Sequence, residues 1–69
     1  MEKLLSFKIF CLENYKVAHN LSGKAAYEIF QKYQLFDYIT DFCDILHSYG
    51  ELYLVNNFDE FIANHNAKV

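Results

Sequence analysis

Asp44 and His47 are the pair best placed to do chemistry, because three positions along a helix bring a carboxylate and an imidazole onto one side. As a general base oriented by Asp44, His47 still needs a nucleophile, and the nearby hydroxyls are Ser48, Tyr49 and Tyr53. Consecutive helical positions point about 100° apart, so a His47–Ser48 dyad is geometrically poor. The sequence therefore reads as non-enzymatic, with no catalytic residue. In the plainer reading, His47 lies near a helix C-terminus and interacts with the last carbonyls and the negative end of the dipole.

Metal chemistry needs three or four converging ligands. His19, His47, His65, Cys11 and Cys43 are scattered, with no His-x₃-His or Cys-x₂-Cys pair, so neither a metal nor a cofactor is expected. The two cysteines read as reduced, packed thiols, since a free Cys behaves as a small hydrophobe. Acids near Cys43 disfavour its thiolate, the opposite of what a redox site requires.

Recognition chemistry is better supported. Residues 28 to 60 hold seven acids against Lys32 alone, whereas residues 1 to 27 hold four lysines against Glu2 and Glu13. Asp37, Asp41 and Asp44 run along one side of a third helix, with Tyr38 and Phe42 close by. Such a face suits a basic protein surface, where aromatics anchor and charges steer. The candidate partner-binding residues are Asp37, Tyr38, Asp41, Asp44, His47 and Tyr53. The second and third helices could be taken for a helix-turn-helix, but an acidic recognition helix repels phosphate. No Arg occurs in the chain, so bidentate guanine and phosphate contacts are missing and nucleic acid is disfavoured. The alternative is a DNA-binding autoregulator using Lys8, Lys16 and Lys24 on the first two helices.

The elements that position these residues are helical. With no Pro and two Gly, the chain disfavours many-turned β architectures. A first helix is expected over Glu2–Ala18. Its apolar residues, Leu4, Leu5, Phe7, Ile9, Phe10, Leu12 and Tyr15, spread wider than one stripe, which predicts a central helix buried on more than one side. Ser22 caps a second helix over Gly23–Tyr33, with Ala26, Ile29, Phe30 and Tyr33 on one face. The third runs over Phe36–Ser48 and is ended by Gly50 in a left-handed C′ position. Leu52–Val55 reads as a short extended or irregular stretch. Asn57 then caps a fourth helix over Phe58–Asn66, with Glu60 completing a capping box. The expected fold class is all-α, a compact bundle of about four helices forming one domain over residues 1–69.

A chain of 69 residues is near the size at which a lone core is only marginally stabilising. Hydrophobic residues make up 54% of it and aromatics 19%, leaving few positions for a polar face, so a homodimer or an obligate complex is a serious option. The N-terminal apolar run is interrupted by Ser6, Lys8 and Glu13, unlike a signal peptide or a membrane span. A cytoplasmic protein with no membrane association is expected.

The stretch from Asp44 to Val55, Asp-Ile-Leu-His-Ser-Tyr-Gly-Glu-Leu-Tyr-Leu-Val, resembles the Y-D-x-L-H-T-x-G-x-x-Y-[IL]-V-x-D-I signature of a family of small bacterial domains of unknown function. Leu21 to Phe30, Leu-Ser-Gly-Lys-Ala-Ala-Tyr-Glu-Ile-Phe, is similar to that family's upstream M-S-G-x-x-x-Y-x-x-[LF] stretch, and the likeness extends from Phe7 to Ile62. Cys43 stands where Tyr is usual, Ser48 replaces Thr, and Asn56 and Asn57 take usually acidic positions. Members of the family often sit beside genes for ADP-ribosyltransferase-like proteins, in the manner of toxin and antitoxin pairs. The resemblance thus implies an antitoxin-like or accessory protein that binds and restrains such a partner, an inference by association rather than by site chemistry.

Overall fold

Five helices follow one another in the computed structural model, which describes the backbone of residues 3–67: α1 (Lys3–Ala18), α2 (Gly23–Lys32), α3 (Leu35–Asp41), α4 (Cys43–Leu46) and α5 (Glu51–Ala67). The all-α class expected from the sequence is what forms. Glu2, the expected first residue of α1, lies outside the described residues, as do Met1, Lys68 and Val69 of the expected domain.

α1 touches α2, α3 and α5, so it is central in contacts. Its burial is nevertheless one-sided, which corrects the expectation of a helix covered on several sides. Phe7, Cys11 and Tyr15 form a single buried stripe at i, i+4 and i+8, whereas Leu5, Ile9, Phe10 and Val17 stay exposed. Asn20, at φ 54°, ends the helix in the left-handed conformation that Asn tolerates. The Leu21 N–H reaches back to the Lys16 carbonyl at 2.9 Å and the Asn20 N–H to Val17 at 3.2 Å, a Schellman pair that satisfies the last carbonyls.

Ser22 caps α2 as expected: its Oγ accepts from the Ala25 N–H at 3.1 Å. Phe30 of α2 is the hub of the core. Tyr15, Phe36 and Phe58 meet it edge to face, with ring centroids 5.3 to 5.7 Å away. Gln34, at φ 57° and ψ 38°, turns the chain sharply so that Leu35 and Ile39 of α3 also enter the core.

Two expected features of the second half are overturned. The third helix is not continuous to Ser48: at Phe42 the backbone opens to φ −119° and ψ 25°, and the one-turn helix α4 follows. The extended stretch does not exist either, since Leu52–Val55 belongs to α5. Leu54, Val55, Phe58, Phe61 and Ile62 lie at i, i+1, i+4, i+7 and i+8, one continuous helical stripe against the core. Asn57 is consequently mid-helix rather than a cap, and no capping box forms with Glu60. Gly50 does not adopt a left-handed conformation. Its carbonyl accepts from the Leu54 N–H at 2.9 Å, so Gly50 opens α5 instead of ending the preceding helix.

Candidate partner-binding site

The corner formed by α4, the turn after it and the start of α5 faces the first half of α1. His47 closes α4, its N–H donating to the Cys43 carbonyl at 2.8 Å, and this places its ring flat on Phe7 of α1, with centroids 4.1 Å apart and planes 17° from parallel. Phe7 in turn stacks with Phe10 at 6.2 Å. Across from them Tyr49 stacks with Tyr53 at 4.5 Å. A cleft of about 490 Å³ is lined by Lys3, Ser6, Phe7, Phe10, His47 and Tyr49.

The six residues singled out from the sequence divide here. Asp37 and Asp41 are exposed on α3 and Asp44 on α4, but the break at Phe42 takes Asp44 out of register, so the three do not form one straight stripe. Asp44 makes no hydrogen bond to His47 among the described residues; the imidazole face is occupied by Phe7, not by a carboxylate or the terminal carbonyls. Ser48 donates to the Ile45 carbonyl at 2.6 Å, a local bond that turns its hydroxyl away from any dyad. Tyr38 serves the fold: its hydroxyl donates to Asn57 Oδ1 at 2.7 Å, its ring stacks on Phe61 at 4.4 Å, and burial raises its pKa. Tyr53 is open, at 58% exposure, and so are Ile45 at 54% and Leu52 at 75%.

Sequence reasoning missed the opposite wall of the cleft. Lys3, Ser6 and Phe10 lie at i, i+3 and i+7 along one side of α1, 37 to 44 residues from His47. The available signal was the excess of apolar residues around α1, more than one core-facing stripe can use. Lys8, Lys16 and Lys24, the cations of the DNA-binding alternative, do not stand out as a patch: Lys8 is half-buried, Lys16 pairs with Glu13 at 3.3 Å, and Lys24 is on α2.

At the far end of α1 a second polar group joins elements. His19 Nε2 lies 3.0 Å from Asp59 Oδ2 of α5, and the His19 ring lies against Tyr15 at 4.4 Å. Tyr15 is pushed up to about 12, first by burial and then by the adjacent Asp59 carboxylate. With all its partners inside the fold, this group ties α1 to α5. Cys11 and Cys43 are both free. Among the described residues, no three or more His, Cys, Asp or Glu side chains gather as a metal site, and no helix is long and apolar enough to cross a membrane.

The family model described as "Protein of unknown function (DUF3791)" matches residues 6–65, nearly the whole described chain and both walls of the cleft apart from Lys3. The chain belongs to the DUF3791 family. No curated protein and no solved structure matches it significantly. For this DUF3791 chain the corner at His47 is therefore characterised by its own geometry: stacked rings, a cleft and uncovered apolar side chains.

Proposed function

We infer that this DUF3791 chain is a non-enzymatic protein-interaction module, antitoxin-like or accessory, which binds and restrains a protein partner through the α4–α5 corner. The observation that carries the reading is the exposure of Phe42, Ile45, Leu52 and Tyr53 along the α4–α5 segment, whose His47 and Tyr49 line a cleft. Uncovered aromatic and aliphatic side chains of this kind are the anchors that interfaces bury at their centre. Exposed Asp37 and Asp41 on α3 and Asp44 on α4 steer basic groups of the partner towards that side, apart from the cleft, which no carboxylate lines among the described residues. The family resemblance supplies the candidate, an ADP-ribosyltransferase-like protein of the kind often encoded beside members of the family.

Binding is measured by calorimetry between the purified chain and that candidate. A saturable complex is expected. Ile45→Glu and Tyr53→Glu each weaken it at least tenfold, while Asp41→Lys and Asp44→Lys lower the association rate and its salt dependence. Absence of binding, or indifference to all four changes, sinks the reading.

A further inference from the structure

We propose that the cleft between α1 and the α4–α5 turn receives a short acidic segment of the protein partner, seating an apolar side chain on the rings and an adjoining carboxylate at Lys3. The proposal rests on the protein-interaction reading and names the chemistry of what is held. Three observations lead to it.

The first is the floor. Phe7 is 6% exposed and His47 lies on it nearly parallel, with Phe10 continuing the ring surface. With Phe7 covered by His47, an aromatic or branched aliphatic side chain entering here meets the imidazole and the half-exposed ring of Phe10, contacts of the kind aromatic side chains make favourably. The cleft volume of about 490 Å³ falls within the range of about 300 to 1,000 Å³ typical of sites that hold an inserted group.

The second is the polar lining. Lys3, Ser6, His47 and Tyr49 bring an ammonium, two hydroxyls and an imidazole to the cleft, and no carboxylate lines it among the described residues. A ring-lined pocket can also hold a cation by cation–π attraction. Lys3 repels that guest. The same ammonium and hydroxyl donors favour a carboxylate, because charge-assisted hydrogen bonds are the stronger kind.

The third is extent. The ring surface does not stop at the cleft mouth: Tyr49 stacks on Tyr53, whose ring is 58% exposed at the start of α5. A small metabolite would use the cleft alone, whereas a peptide covers the cleft and its extension. Repeated side chains along an extended or helical segment match such a surface.

The test uses the full chain with fluorescein-labelled nine-residue peptides bearing a central Phe flanked by Asp, against the same peptides flanked by Lys, read by fluorescence polarisation. The acidic peptide is expected to bind saturably and at least tenfold more tightly than the basic one. Lys3→Glu and Phe10→Ser each remove at least tenfold of that affinity, with thermal melting confirming that both variants remain folded. Equal binding of the two peptides, or affinity unchanged in Lys3→Glu, overturns the proposal. The proposed partner separates the two readings. If it binds wild type and both variants equally, the cleft is not the contact although the interaction stands. If the acidic peptide binds and that protein does not, the cleft chemistry holds and the named partner is wrong.

Discussion

Cys11 has no solvent exposure, and its thiol is pushed up to about 12, first by burial and then by neighbouring Cys43. In the unfolded chain the same thiol ionises near 9.0 and the Tyr15 hydroxyl near 10.0, against about 12 for each in the fold. Above pH 9 the unfolded state thus binds fewer protons than the native one, so stability is full below about pH 9 and is lost as pH rises towards 12. Urea midpoints measured from pH 8 to 11 are expected to fall, and a Cys11→Ala chain, less stable at the outset, should lose the earlier part of that slope. A flat profile to pH 11 contradicts the burial assigned to these groups. Gln34 presents a different residue-scale cost. A side chain in the left-handed region is disfavoured by roughly 1–2 kcal/mol, and Gln lacks the short polar group that lets Asn20 sit there. Gln34→Gly is expected to raise unfolding free energy by about 1 kcal/mol, since Gly is the usual residue at such a helix end. A loss in the same denaturation assay would show that the Gln34 side chain has a role the backbone does not reveal.

At the scale of elements, the start of α5 is where the sequence and the fold part company. Leu52-Tyr53-Leu54-Val55 is a continuous apolar run, and short runs of that kind do not distinguish strand from helix. The spacing of Leu54, Val55, Phe58, Phe61 and Ile62 resolves it, but only when the run is joined to residues 56–62, and the Asn57-x-x-Glu60 pattern argued for a boundary between them. The break at Phe42 has no sequence mark at all, because Phe is neither a helix breaker nor a cap; packing on Tyr38 at 5.2 Å accompanies it. The Ser22 cap was legible because its cause is local, a hydroxyl three residues from the N–H it accepts from. A chain reversal at His47 was legible in the polar and aromatic cluster around Gly50, although Gly50 opens α5 rather than ending the helix before it. The cleft's other wall on α1 was not, since nothing in a linear pattern says which helix a residue 37 to 44 positions away will face. Gly50 gives the decisive element-scale experiment. As the residue that opens α5, with nothing within 4 Å of an added Cβ, it can take a capping hydroxyl. Gly50→Ser is expected to gain a few tenths of a kcal/mol, because Ser outranks Gly at that position. In a left-handed C′ position the same change would cost about 1 kcal/mol. The sign of the shift in urea midpoint tells the two apart.

At the scale of the whole molecule, one aromatic core centred on Phe30 supports 69 residues, while nine large hydrophobic side chains remain exposed among the described residues. Domains are stabilised by roughly 0.05–0.15 kcal/mol per residue, so a chain of this length rests on a margin of about 3–10 kcal/mol. The outward apolar residues leave most of their surface in water and contribute more once something covers them. A partner that binds only the folded chain stabilises it by about 2.7 kcal/mol when present at a hundred times its Kd. For a domain of this size each kcal/mol raises Tm by roughly 4–8 °C, which gives a shift of about 10–20 °C. Following the melting of an isotope-labelled chain by NMR, with the proposed partner unlabelled and in that excess, isolates this shift from the partner's own unfolding. The rise, taken from each variant's own Tm, should shrink in Ile45→Glu, where the side chain already faces solvent, and in Tyr53→Glu, which also loses its stack on Tyr49. An unchanged Tm for the wild-type chain at saturation would mean that the partner does not distinguish folded from unfolded chain, and the α4–α5 corner could then not be what it recognises.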